Sequence, residues 1–508
     1  MTYLVEIDAY TLPSGPLVTF RYSSGKGFRT LPTDTPANTF ISPRIDKQTY
    51  ALRRDLFDKA TTYGAIGQAK GQLVLINEDG ALDALLGYGL DGRQVRVYQG
   101  TEGTAFPSAW TQVGTAYIDT VSYPDFTVTL TLQDRLQTLD KPLLPTKYLG
   151  NNSLPNGLEG VADIKDQYKP RLYGQVLNIQ PILVNTSLFA YQVSDQQATV
   201  SAVYDRGSAL TASAAYSDQN DLQTNAPTAS HYRVLATSSG TYIRLGSTPV
   251  GAITCDCATT ETKAAALIKQ IALDMGIASG DINSSDVTAL NTANSAAVGT
   301  WATGDTHAIA VMSELASAVG ASFSFDQTAK LRMQQLVASS GSPVATIRKE
   351  RIISLSLIST ADSDQGIPPW QVRLGYAKNW TTQNDLNNTN AGAVQAAFAA
   401  VEYRRVTVQD TAVQTAHPNS LPIEIDTCLV SASDASTEAN RRLTLYKVGR
   451  QMYQVKARLE SATLALIDLG VCLTIIYPRY GLDSGKLLRV LGITVNAEMN
   501  EIDLRLWG

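Results

Sequence analysis

Residues 169–193, KPRLYGQVLNIQPILVNTSLFAYQV, constrain the fold more tightly than any other stretch. Two apolar runs, Leu177 to Ile179 and Ile182 to Val184, flank Pro181, with Pro170 and Gly174 ahead of them and Tyr191 and Val193 behind. Proline has no N–H to give to a β-ladder and glycine opens turn geometry, so this spacing predicts strand, turn and strand. The stretch carries no catalytic group and reads as a junction where one β-unit hands over to the next.

The same punctuation recurs along the chain. Tyr3, Val5 and Ile7 alternate with polar residues, and Gln72–Ile76, Val95–Tyr98 and Phe126–Leu132 follow, each bounded by Gly, Asp or Pro. At 508 residues the chain exceeds what one core sustains, roughly 250 to 300 residues. Four segments are expected: an N-terminal β-rich domain over 1–165, a second β domain over 166–255, a small α/β domain over 256–343, and a C-terminal β-rich domain with two helices over 344–508. Leu52 and Leu56 share a helical spacing that predicts a short helix over Ala51–Ala60, and Asp83–Leu86 predicts a further turn. Ser217–Ser230 has no periodicity and reads as a loop. Thr262–Met275 and Thr306–Val319 carry apolar stripes, the second behind an N-cap at Asp305 or Thr306, and Gly276 and Gly320 should stop them. Asp286–Asn291 suits a short third helix, and Phe323–Phe325 with Leu331 and Met333 a hairpin. Later helices are expected over Ala393–Tyr403 and from Ser433 or Asp434 to Met452, and Glu501–Gly508 reads as a strand tied into a sheet.

Composition excludes several function classes. Hydrophobic content of 44% with 17% charged residues is globular rather than disordered. A net charge of −5 argues against capture of nucleic acid by counterion release, and the cluster Arg348, Lys349, Arg351 is short and interrupted by Glu350. No apolar run reaches the roughly 18 residues of a membrane span, and Met1–Tyr10 lacks the pattern of a secretory signal. Cys255, Cys257, Cys428 and Cys472 suit a reducing cytoplasm. Twenty-three tyrosines against ten phenylalanines and five tryptophans point to half-wet strands or interfaces.

Motifs with chemical meaning are each better read as structure. Gly87-Tyr-Gly89-Leu-Asp-Gly92 matches G-x-G-x-x-G, but a dinucleotide site needs a strand before it and a helix after. Here the order is reversed, and a hairpin turn is expected. Cys255-Asp-Cys257 lacks a second ligand pair, so two buried thiols on one strand face are expected. His231, His307 and His417 are far apart in sequence. No nucleophile elbow, metalloprotease helix or P-loop occurs, and no spacing selects a carboxylate pair for glycoside cleavage. Asp218-Gln-Asn220-Asp-Leu-Gln opens like a calcium loop but lacks the glycine and closing glutamate. Asn379-Trp-Thr381 is a formal sequon, expected to be idle without secretion. No catalytic, cofactor-binding or metal-binding residue is assigned, and no cofactor is expected.

Several ordered tracts do carry a likeness: Leu130-Thr-Leu-Gln-Asp-Arg-Leu136, Lys169-Pro-Arg-Leu-Tyr-Gly174, Asn178-Ile-Gln-Pro-Ile-Leu-Val-Asn185, Val203-Tyr-Asp-Arg-Gly207, Gly375-Tyr-Ala-Lys-Asn-Trp-Thr381, Leu488–Ile493 and Leu504–Gly508. Together they resemble tail-tip or baseplate hub proteins of long-tailed, siphovirus-like bacteriophages and related prophages. The resemblance implies a mainly β, multidomain virion structural protein, with β-barrel- or sandwich-like hub domains and a small α/β insertion domain. It further implies a homotrimer at the distal end of the tail, made in the bacterial host cytoplasm, between the distal tail ring protein, the tape measure protein and other tail-tip and fibre proteins. Such a hub closes the tube and rearranges on host attachment for genome ejection. A host-glycan-binding adsorption protein and, behind it, a tail-associated cell-wall hydrolase are the alternatives.

Overall fold

The computed structural model describes residues 2–46, 51–57, 67, 69–358, 367–386, 388–496 and 500–508. Thr2–Thr11 pairs with Leu17–Ser23 on one side and Gln94–Gly100 on the other. The alternation puts Tyr3, Val5 and Ile7 into one cluster with Leu73, Leu75, Val97 and Leu130. Leu4, on the opposite face, is buried too, because Phe28, Ile41, Phe106 and Trp110 cover it.

Among the described residues this sheet has 16 strands and draws on both ends of the chain. Its path runs from Ile352–Ile358 through Met452–Arg458, Glu501–Trp507 and Lys486–Asn496 to Ala51–Asp55, and then into the N-terminal strands. The seam is the antiparallel register Gly492↔Asp55 to Asn496↔Ala51, reinforced by Arg505 Nη2 at 2.9 Å from Asp55 Oδ1. The molecule is mainly β, as the sequence predicts, with several sheets and no closed barrel. The helix expected over Ala51–Ala60 is corrected: Ala51–Asp55 is a strand, and residues 58–60 lie outside the described residues. Ladders on both sides, with Leu52 opposite Gly71 and Val495, override the helical spacing of Leu52 and Leu56.

In the middle of the chain two five-stranded sheets share one core, with Val176, Ile179 and Cys255 from the first meeting Val193, Tyr232 and Ile243 from the second. The junction behaves as strand, turn and strand: Arg171–Ile179, Ile182–Asn185 and Ala190–Ser194. Its first strand changes partner part-way. Arg171 to Gly174 pair with Gly299–Ala302, and Gln175 to Ile179 pair with Ile253–Ala258 on the other side. Gly174 makes the change at φ 78°, and a Cβ there would stand 2.0 Å from the Val298 carbonyl oxygen. The same strand reaches three other parts of the chain. Arg171 forms a bidentate pair with Asp195 at 2.8 and 2.7 Å, Tyr173 Oη donates to Asp274 Oδ2 at 2.8 Å, and Asn178 Nδ2 donates to Asn379 Oδ1 at 2.7 Å.

Ser217–Ser230, expected as a loop, holds a short helix, Gln219–Thr224. Asp218 caps it by accepting from the Asp221 N–H at 2.8 Å, and Leu222 buries its inner face. The helices Ala264–Asp274, Ser284–Ala293 and Ala308–Ala318 pack with the hairpin Ala321–Phe325 and Leu331–Gln335. Gly276 and Gly320 end their helices at φ 85° and 63°. The expected N-cap at Asp305 or Thr306 moves to His307, whose side chain makes no cap bond and instead meets Asp140 at 2.7 Å. The helix expected over Ala393–Tyr403 ends at Ala399, and the one expected to reach Met452 spans Ala432–Tyr446. Arg450 therefore lies beyond that helix, stacked on Trp507.

The Ala432–Tyr446 helix is locked to the α/β unit by buried charge. Glu438 and Arg442 are almost wholly enclosed, with Arg442 Nε at 2.7 Å from Glu438 Oε1, and Arg441 grips the same carboxylate at 2.7 and 2.8 Å. Arg442 also donates to the Ser317 carbonyl at the end of the Ala308–Ala318 helix, and Arg441 to the Leu336 carbonyl at 2.9 Å. The Arg442 bond satisfies a carbonyl that a helix end leaves open, and the Arg441 bond one just past the strand Leu331–Gln335. Gly320 leaves the room: a Cβ there would fall 1.9 Å from Arg441 Nη2. Burial alone would raise the Glu438 pKa, but the two guanidiniums outweigh it and hold the carboxyl below its ordinary range.

Two outcomes follow from these contacts. Gly174→Ala, with a positive φ and a backbone clash, should cost about 3 kcal/mol or more in chemical denaturation. Glu438→Ala, which strands two cations, should cost about 3 to 5 kcal/mol. The depressed Glu438 pKa means that its contribution is present above the ordinary glutamate value and lost as pH falls through the lower folded value. Denaturation midpoints of wild type and variant should therefore converge in acid.

Candidate assembly interface

A strand at a sheet edge presents unpaired N–H and C=O groups, and soluble proteins blunt such edges with charge, proline or a covering element. Ile352–Ile358, IISLSLI, contains neither charge nor proline. It is the outermost strand of the large sheet, held by Met452–Arg458 in the register Ser354↔Lys456 to Ile358↔Met452. No described strand lies on its other side. Ile353 is 50% and Leu357 41% exposed. Among the described residues no strand pairs with its outer backbone edge, and part of its apolar surface is exposed.

The frame behind this edge is well packed. Tyr453, Val455, Leu488, Leu504 and Leu506 are fully buried in one cluster. Glu501 takes Lys456 at 2.9 Å and Arg458 at 2.7 Å, and the bonds from Lys456 and then Arg458 lower its pKa. A second open apolar group lies at the far part of the sheet, where Leu12, Leu17 and Leu86 are exposed near one strand end. Leu12 N donates to the Gly87 carbonyl at 3.1 Å, and Leu17 pairs with Tyr10.

The residues singled out in the sequence are not brought together. Gly92 turns at φ 67°, but Tyr88–Gly89 and Gln94–Gly100 both run antiparallel to Thr2–Thr11, so the glycine motif is a turn between two collinear strand pieces rather than the expected hairpin. Cys255 and Cys257 are buried on one strand face with Sγ atoms 3.4 Å apart, and burial pushes the Cys255 thiol well up. His307 sits beside Asp140, His231 Nδ1 lies 3.0 Å from the Ala229 carbonyl, and His417 is exposed at a helix end. Among the described residues no group of three or more His, Cys, Asp or Glu is placed to hold a metal ion. The Asp218 segment is a helix start. Asn379 is 2% exposed and bonds Asn178 and the Ala399 carbonyl, so its amide is unavailable to a glycan. Arg348, Lys349 and Arg351 are exposed, with Arg351 paired to Glu460.

The composition of Ile352–Ile358 suits a strand, but that it ends a sheet is not visible in the sequence. The available signal is the lack of any lysine, glutamate or proline in a seven-residue stretch with five apolar residues and two serines. Trp301 was also missed, and Trp380 was noted only as the middle of a sequon.

No family model and no curated protein matches the chain. Several solved structures are similar to it over most of their length. The tail protein from Neisseria meningitidis MC58 is 9% identical, with all of this chain and 96% of that one covered and a TM-score of 0.40. The 43 kDa tail protein of prophage MuSo2 from Shewanella oneidensis is 11% identical, covering 100% and 98%, also at 0.40. A chain of a native gene transfer agent virion is 14% identical over 73% of this chain and 91% of that one, at 0.41. These are likenesses to tail and virion proteins at low TM-score, and the functional reading rests on the sequence resemblance and the surface described above.

Proposed function

We propose that this protein is a structural hub of the distal tail tip or baseplate of a tailed bacteriophage, acting through assembly rather than catalysis. The observation that carries the reading is the open, uncharged edge at Ile352–Ile358, mounted on a sheet that both ends of the chain build. An edge of this kind is a template for pairing with another chain, and its chemistry suits permanent burial in an assembly. The tail-tip resemblance, which covers most of residues 115–508, supplies the setting. In that setting copies form a trimeric ring, join the distal tail ring protein, the tape measure protein and the tip fibres, and close the tube until attachment shifts the ring.

The double variant Ile353→Lys/Leu357→Lys changes only exposed side chains, so the isolated chain should keep its stability within about 0.5 kcal/mol. In phage carrying it, tails should lack normal tips in electron micrographs and titres should collapse. Normal tips and infectivity in this variant, or in a deletion of the gene, would end the hub reading.

A further inference from the structure

A cleft of about 670 Å³ opens beside the junction, walled by the edge strand Ile182–Asn185 and by Trp301 and Trp380. Tyr191 and Ile253 are buried beneath it, and Gln180 and Thr303 are exposed at its rim. The two indoles, each only partly buried, meet edge to face with centroids 6.4 Å apart and planes at 85°. Trp301 is fixed in place, because its Nε1 donates to the Val193 carbonyl at 2.9 Å. Its polar edge is therefore used within the protein.

The lining narrows the chemistry of an occupant. It contains no Lys, Arg or His. Lys378, the cation against Trp380, covers one face of that ring with Nζ 4.1 Å from its centroid and is shared with Glu314 at 4.0 Å, so it is already engaged. The only carboxylate of the lining, Asp163, is an exposed rim group, too little to hold a cation in water. A wholly apolar ligand would waste the amides of Gln167 and Gln180 and the hydroxyls of Thr186, Thr303 and Thr381, which both donate and accept. A pyranose has what remains: a face of C–H groups that packs on an indole plane, and a fringe of neutral hydroxyls that need donors and acceptors.

We propose that this cleft binds a neutral saccharide, with Trp301 and Trp380 supplying the stacking walls and Gln180 and Thr303 the rim hydrogen bonds. The site is independent of the edge at Ile352–Ile358, so the assembly reading and the saccharide reading fail separately. Thr303→Arg fills the rim from an exposed position and leaves the core untouched.

The test titrates the full chain with maltotriose, chitotriose and a galactotriose, read by tryptophan fluorescence and saturation-transfer NMR. At least one should bind saturably with a Kd of about 0.1 to 10 mM. Thr303→Arg should weaken that binding about tenfold or more at an unchanged Tm, and Trp380→Ala should abolish the fluorescence response. Absence of saturation by every trisaccharide up to about 20 mM overturns the proposal. So does equal affinity in Thr303→Arg, or a cleft that takes only an extended uncharged peptide along the Ile182–Asn185 edge.

Discussion

Glu438 is the point on which the packing of the last segment depends. A carboxylate this deeply enclosed is tolerable only with full compensation, which Arg441 and Arg442 supply from the same helix. The two arginines spend their remaining donors on carbonyls at Ser317 and Leu336, so one ion cluster orients the Ala432–Tyr446 helix against the α/β unit. An apolar contact of the same area would be non-directional and would fix this orientation less sharply. Around the cluster the main core gathers Leu136 and Leu144 from the first segment, Tyr173 from the second, and Leu429 and Ala435 from the last. The small α/β unit is thus the place where every part of the chain is anchored.

The large sheet adds a second kind of continuity. Because Ala51–Asp55 pairs with Lys486–Asn496, the N-terminal strands and the C-terminal strands form one continuous sheet, with the Arg505–Asp55 pair at the seam. An open edge on such a sheet can transmit force or orientation to a neighbour. An open edge on a loosely attached hairpin could not. The first strand of the middle unit reaches Asp274 through Tyr173 and Asn379 through Asn178, and the tryptophan cleft lies where that unit meets Trp301 and Trp380 from the two later segments.

Much of the local structure is legible from spacing alone. Period-two alternation locates the strands from Thr2–Thr11 to Glu501–Trp507, and period 3.6 with glycine stops locates the helices that end at Gly276 and Gly320. The errors fall where tertiary contact competes with local preference. Leu52 and Leu56 have helical spacing but lie where two ladders demand a strand. Ser217–Ser230 lacks periodicity, yet one aspartate cap and one buried leucine suffice for a short helix. The likeness to hub proteins is readable from ordered tracts, and Pro170, Gly174 and Pro181 mark the junction without any knowledge of its contacts.

What the sequence by itself determined is the set of local segments, the β-rich character and the absence of any recognisable catalytic motif, because these follow from periodicity, turn chemistry and short-range spacing. Only the tertiary structure decided that the first and last segments share a sheet, that Ile352–Ile358 is its open edge, and that Trp301 and Trp380 meet across a cleft. Those facts depend on pairings between residues hundreds of positions apart. Such pairings are selected by the joint burial of many side chains, and no local window of sequence contains them.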